Sequence, residues 1–540
     1  MSTTATGSPT EPRTRTQFDQ TRAVARNWIL SMHTLRFRLR YAAAAILWMA
    51  VTATAQSGER SVDLPTLLRP GEWTQIAQTD ARYLSFNIEM AEITGGEFWA
   101  PYDDPQRRRY APRKPVDLAD PRLRRLARGL SPAILRVSGT WANSTYVSLP
   151  GETPHASPPP GFGQALQAER WRDLIAFANN ADLTLLLSFA ASAGTRDALG
   201  HWQPEQAERL VDLTLRYGGK IAAVEFINEP NLTGLGKLPA GYSATDYARD
   251  LATFRAFATR KLPGVPILGH STSGRGGEVP PDALFAASSG LVDAISYHFY
   301  GALSPRCAEY GNQVSAAEAL SEEWLARTDA DHRFYAELRD RHAPGLPIWL
   351  TETAQAACGG SPWAPTFRDS FRFADQLGRL ARREVRVVAH NTLSAGDYAM
   401  VDHRSMAPRP NYWMAWWWQR LMGPQVLSGP DTGSTPSHLY AHCLRGSQGG
   451  VAIVVIVPGT EAMRLKFDRR AVVRTFTATS LDARDLRMNG RRFVGDVDAA
   501  PPAGARVAGA RTIRLPARSI SYLALPEAGN AACRNANDAE

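Results

Sequence analysis

Eight times between residues 83 and 391, an apolar, β-rich run is followed by a longer stretch with helical spacing. The strand-like runs are YLSFNIE (83–89), AILRVS (133–138), LTLLLSF (183–189), AAVEFIN (222–228), VPILGH (265–270), VDAISYH (292–298), PIWLTE (347–352) and VRVVAHN (385–391). Helical patterns fall at about 121–129, 168–181, 203–217, 243–262, 281–289, 321–342 and 366–383, and a last one at about 410–422. Strands that are apolar throughout, rather than alternating, are covered on both faces, as in a parallel sheet. Eight such units without a Gly-rich phosphate turn predict a (β/α)8 TIM barrel over a doubly wound sheet.

From about residue 425 the texture changes. Short β-rich runs such as VAIVVIV (451–457), RTFTAT and SISYLAL are separated by turns, with no strong helical pattern. This predicts a β-sandwich, and the β-like segment 60–80 is expected to lend it a strand. The expected organisation, α/β in class, is a leader at 1–55 and an N-terminal segment contributing to the sandwich at 56–82. The catalytic barrel then occupies 83–424 and the β-sandwich 425–540.

The leader is legible by itself. From Met32, the expected start, Arg36, Arg38 and Arg40 precede an apolar run that ends in Ala53-Thr54-Ala55, a signal-peptide pattern. The run, about 15 residues, is short for a membrane span, so an uncleaved anchor is the lesser alternative. Seven arginines against Glu11 and Asp19 in residues 1–55 supply five of the nine excess positive charges. The remaining chain is only mildly basic, and no nucleic-acid partner is expected. The chain is expected to be exported (periplasmic or secreted), monomeric, and without a membrane span once the leader is cleaved. Its four cysteines, an even set, then predict two disulfides. No CxxC or Cys/His spacing calls for a metal, and no cofactor is implied.

VEFINEPN (224–231) ends a strand-forming run on an amide, a carboxylate and a proline. Catalytic residues of such barrels sit at the C-terminal ends of strands. Glu229 follows the fourth strand, and Glu352 ends the seventh in IWLTETAQAACGG. A rim glutamate alone is commonplace. A pair on opposite walls of one cup is what glycoside hydrolysis uses, one group as acid and base and the other as nucleophile.

These residues resemble those of the heparanase and β-glucuronidase family of retaining glycosidases. LARGLSPAILRVSGT (126–140), NEPN (228–231), TET with GG behind it (351–360), AGDYAMVD (395–402), PNYWMAWWWQRLMG (410–423), LYAHC (439–443) and AACR (531–534) occur in the family's order. The likeness runs from about residue 83 to the C-terminus. It implies Glu229 as acid/base and Glu352 as nucleophile, with Asn228 on the sugar 2-hydroxyl. It also implies a uronate site made by Gly359, Gly360, the backbone of Gly396 and the hydroxyl of Tyr398, a neutral anion nest. Glu89, Thr140, His298 and Tyr300 match polar positions around the sugar. Cys443 and Cys533 stand in family-like contexts and are expected to pair, which leaves Cys307 for Cys358.

Two positions depart from the family. His390-Asn391 stands where the family has a Gln near the uronate, so His390 is taken as a substrate contact. Asp397 replaces an Asn, and a carboxylate there would repel a uronate unless it points away. The long excisable linker that animal members carry after the first strand is a short stretch here, 99–120.

That stretch contains QRRRYAPRK (106–114) on the catalytic face. Arg107, Arg108 and Arg109, with Lys237 and Arg275 from later loops, are read as sulfate contacts, against the plain alternative of a solvated basic loop. Trp413, Trp416 and Trp417, at helical spacing, are expected in the core. Trp363 is the candidate sugar platform. The expected function is a retaining endo-β-D-glucuronidase acting on heparan sulfate-like glycosaminoglycans, with a glycosaminoglycan as partner. An exo-acting β-glucuronidase for small glucuronides and a non-catalytic glycan-binding protein remain the alternatives.

Overall fold

The computed structural model describes residues 61–106, 108–152, 157–430, 432, 435–495, 497, 504–507 and 512–534. The leader and Arg107 lie outside the described residues.

Eight parallel strands close in chain order: Leu84–Glu89, Ala133–Ser138, Leu183–Ser188, Ile221–Glu225, Ile267–Ser273, Ala294–Tyr300, Ile348–Ala354 and Val388–His390. The ring shuts where Val388 pairs with Leu84. The first two strands are buried at every position, which is why their apolar runs do not alternate. The intervening helices lie close to their predicted bounds, with Ala168–Asn180, Glu205–Arg216 and Ala244–Lys261 among them. Ala244–Lys261 starts where Ser243 and Asp246 form a capping box.

The sandwich is two sheets. The larger contains Met422–Leu427, His438–Leu444, Val451–Val457, Ser519–Leu525 and Ala471–Ala478 as antiparallel neighbours. The smaller joins Ser61–Leu68, Ala462–Phe467 and Thr512–Leu515. The N-terminal segment supplies strands to both, because Gln75–Gln78 also pairs with Met422–Leu427. The unbroken VAIVVIV run follows from its place. Val451, Ile453, Val455 and Val457 pack with Leu465 and Leu515 of the small sheet. Ala452, Val454 and Ile456 share the barrel-side core with Trp413, Trp416 and Trp417 of helix Pro410–Leu421.

Helix Phe367–Arg382 is buried almost all round, since the larger sheet covers its outer side. A Cβ at Gly378 would lie 2.1 Å from the Tyr440 ring, so only glycine admits this approach. Trp363 is 8% exposed and packs edge-on against Trp324. It belongs to a local apolar cluster, which overturns its reading as a sugar platform.

The cysteines pair as Cys307–Cys358 and Cys443–Cys533. The second bond joins residues 90 apart and holds the turn Ala531–Cys533 to the sandwich. Replacing both Cys443 and Cys533 with Ala is expected to cost about 2–5 kcal/mol, because a long loop is freed in the unfolded chain. Denaturant unfolding checks this; an unchanged midpoint would refute it. Among the described residues no helix is long and apolar enough to cross a membrane.

Candidate active site

The fourth strand stops at Glu225, three residues short of the predicted end, and the chain turns through Phe226–Asn228 into the site. Glu229 takes a left-handed backbone conformation (φ 49°), uncommon for a residue with a side chain. Two contacts hold it there. Its N–H donates to the Ser271 carbonyl at 3.0 Å, and the Asn143 side chain clamps the preceding Asn228 through both its N–H (3.0 Å) and its carbonyl (2.8 Å).

Glu352 lies within the seventh strand, in register with His298 of the sixth. Its Oε2 accepts from Arg136 Nη1 at 2.7 Å and its Oε1 from the Tyr300 hydroxyl at 2.7 Å. Oxygens of Glu229 and Glu352 and the His298 ring nitrogen all lie within 4.8 Å of one another. Burial pushes the Glu352 carboxyl up, but the guanidinium of Arg136 and the Tyr300 hydroxyl outweigh it and hold the group below the usual carboxylate range.

Arg136 ties the floor together. Besides Glu352 it donates to Glu225 Oε1 (2.9 Å), Asn228 Oδ1 (2.8 Å) and His298 Nε2 (3.1 Å). An arginine cannot accept, so Nε2 must, and the ring proton sits on Nδ1. Nδ1–H therefore donates to Glu229 Oε1, 3.0 Å away. Glu229, His298 and Glu352 have the spacing of a metal-ligand triad. A protonated Nδ1 and a guanidinium already on Glu352 do not suit a dication. Glu225 lies beneath, its Oε1 accepting from Ser138 and Ser188 and its Oε2 from Ser271. Burial raises its carboxyl, and Arg136 more than reverses that.

Across the cup, the Asn391 amide donates to Glu89 Oε1 (3.1 Å), the Tyr300 hydroxyl (3.0 Å) and the Tyr398 hydroxyl (3.1 Å). Burial and the neighbouring charge of Glu352 push the Glu89 carboxyl well up, and its Oε2 is buried with no partner among the described residues. A Cβ at Gly139 would fall 1.5 Å from that oxygen, so the glycine of VSGT makes room for the carboxyl. Gly359, Gly360 and Gly396 all have positive φ, between 80° and 85°. No intramolecular acceptor for their N–H groups is found among the described residues.

His390 bonds the Tyr398 carbonyl and packs its ring against Phe373 of the outer helix, while Asn391 faces the site. Thr140 is half-buried one residue past Gly139. Arg108 pairs with Asp104, Arg109 with Glu309 beneath Tyr310, and Arg275 with Asp331. Lys237 is exposed. Asp397 pairs with Arg306. Beyond Gly396 a groove of about 960 Å3 is lined by Trp99, Tyr102, Arg113, Lys114 and Arg484. Sequence reasoning missed Arg136, Glu225 and Asn391. The signal for the first two is a charge inside an otherwise apolar strand, in AILRVS and AAVEFIN.

A closed (β/α)8 barrel with paired glutamates past strand four and on strand seven is the architecture of glycoside hydrolases. The model of glycosyl hydrolase family 79, N-terminal domain, matches residues 116–378. The chain is similar to proteins of the heparanase and β-glucuronidase family. It is 25% identical over 360 residues to heparanase-like protein 1 of Arabidopsis thaliana, a match spanning 63% of this chain and 64% of that one. It is 26% identical over 494 residues to heparanase of Rattus norvegicus, spanning 78% and 88%. In fold it matches a 4-O-alpha-L-rhamnosyl-beta-D-glucuronidase from Fusarium oxysporum, with TM-score 0.60 and 14% identity over 84% of this chain and 97% of that one.

Proposed function

We propose that this chain is a retaining endo-β-D-glucuronidase that cleaves heparan sulfate-like glycosaminoglycans. The observation that carries the reading is Glu352, held ionised by Arg136 with Glu229 close by. That short spacing suits double displacement, since inverting pairs stand about 6.5–9.5 Å apart to admit a water. Glu229 protonates the glycosidic oxygen while Glu352 bonds C1; Glu229 then takes a proton from the water that releases the sugar. The Oδ1 of Asn228 is occupied by Arg136 and Ser138, so its amide NH2 is the group offered to the 2-hydroxyl.

The N–H groups of Gly359, Gly360 and Gly396, with the Tyr398 hydroxyl, receive the uronate. The groove beyond Gly396 supports a polymer rather than a small glucuronide. Lys114 and Arg484, both exposed there, have no ion partner among the described residues and suit sulfates. Two disulfides suit an exported protein.

Digestion of heparan sulfate followed by size exclusion tests this. Wild type is expected to shorten the polymer early, and Glu352→Gln to leave it intact. Replacing Lys114 and Arg484 with Ala is expected to raise KM for heparan sulfate severalfold, to flatten its salt dependence, and to spare an aryl glucuronide. Sugar release without early shortening would mean exo action. No cleavage of either substrate would leave a binding protein.

A further inference from the structure

Arg306 is an arginine at the sugar site whose guanidinium is turned onto the protein's own loops. It lies just past strand six, and its side chain is 6% exposed. One amino group donates to the carbonyls of Cys358 (3.2 Å) and Gly360 (2.9 Å), and the other pairs with Asp397. The Tyr102 ring covers its face at 3.7 Å. Four loops of the catalytic face therefore meet on one guanidinium. Asp397 returns a backbone bond to the Gly359 carbonyl at 2.8 Å, and the Cys307–Cys358 bond crosslinks the loop of Arg306 to that of Gly359 covalently.

The consequence is electrostatic. The Gly359–Gly360 and Gly396 turns are where the uronate carboxylate is placed above. Two carbonyl oxygens and one carboxylate, all repulsive to an anion, belong to those same turns. Arg306 draws all three to itself, so the turns are left with N–H groups to present.

We infer that Arg306 is a specificity-determining positioning residue, which makes the glycine turns accept an anionic sugar by neutralising Asp397 and holding back the two carbonyls. The assignment rests on the uronate reading of those turns. Loss of Arg306 leaves the Asp397 carboxylate uncompensated beside the anion, which penalises a glucuronide and not a glucoside. Removing the charge of Asp397 as well then restores much of the loss.

The test compares 4-nitrophenyl β-D-glucuronide with 4-nitrophenyl β-D-glucoside in wild type, Arg306→Gln, Asp397→Asn and the double variant. Arg306→Gln is expected to raise KM for the glucuronide tenfold or more while kcat falls less than threefold, and to change kcat/KM for the glucoside less than threefold. The double variant is expected to recover most of the loss. Asp397→Asn alone, which keeps Arg306, is expected to retain the glucuronide preference. Equal losses on both substrates, or no recovery in the double variant, overturn the assignment. Should Arg306→Gln fail to fold, a tenfold loss of preference in Asp397→Asn overturns it and a retained preference supports it. A wild type that does not prefer the glucuronide overturns the uronate reading and this inference together. A wild type that prefers it, with Arg306→Gln unchanged, overturns this inference alone.

Discussion

Glu352→Ala is expected to lower kcat on an aryl β-D-glucuronide by about 10^4-fold or more, the scale on which enzymes lose activity with their nucleophile. Azide should restore part of it. The truncated side chain leaves space on the face from which the carboxylate attacked, and a small anion entering there gives an α-glycosyl azide. Glu229→Ala behaves differently. Acid–base assistance contributes about 10^2–10^4-fold, and least for a leaving group that needs no proton. Azide then attacks the glycosyl-enzyme from the opposite face and gives the β-azide. The assignment follows from the surroundings of each carboxyl. Arg136 and Tyr300 both donate to Glu352, whereas among the described residues His298 is the one side chain that donates to Glu229. If the two azide products are exchanged, the roles are exchanged and the reading of the site fails.

The barrel was legible because each strand and helix is specified locally, by period and by caps such as Ser243 with Asp246. The catalytic pair was legible because barrel geometry sends strand ends to one face. What joins them was not. Arg136 and Glu225 stand out as charges in apolar strands, yet strands two, four and seven meet only when the ring closes, so their partners have no sequence neighbourhood. His390 and Asn391 show the limit of resolution. Adjacent residues at a strand end face opposite ways, and Val388–His390 is too short for its alternation to be read. The loops were hardest. Tyr110–Arg113, inside a stretch read only as a basic loop, pairs with Gly96–Trp99 as a hairpin, and that loop's Arg109 finds its carboxylate 200 residues away in Glu309. Trp363 failed for a similar reason: its cover, Trp324, comes from the short helix Glu322–Leu325.

Arg136→Met is expected to destabilise the fold by about 3–5 kcal/mol near neutral pH, since it strands two buried carboxylates without their cation. The pH dependence separates this from a packing defect. In wild type, Glu225 and Glu352 are both held below the usual carboxylate range. Groups depressed on folding stabilise above their unfolded value, about 4.3, and lose that stabilisation as pH falls through the folded value. Without the guanidinium, burial is opposed only by neutral hydrogen bonds and raises both carboxyls. The variant is then penalised at neutral pH and regains stability on acidification, as the raised carboxyls protonate. The gap between wild type and variant should accordingly be widest near pH 7 and shrink toward about pH 4.5. The same change moves the acidic limb of kcat/KM upward, because the nucleophile must be ionised to attack. Urea unfolding of both proteins at the two pH values checks the first effect, and a pH–rate profile on an aryl glucuronide the second. A gap of constant size across that range would show that Arg136 contributes shape rather than charge, and that Glu352 is kept ionised by something else.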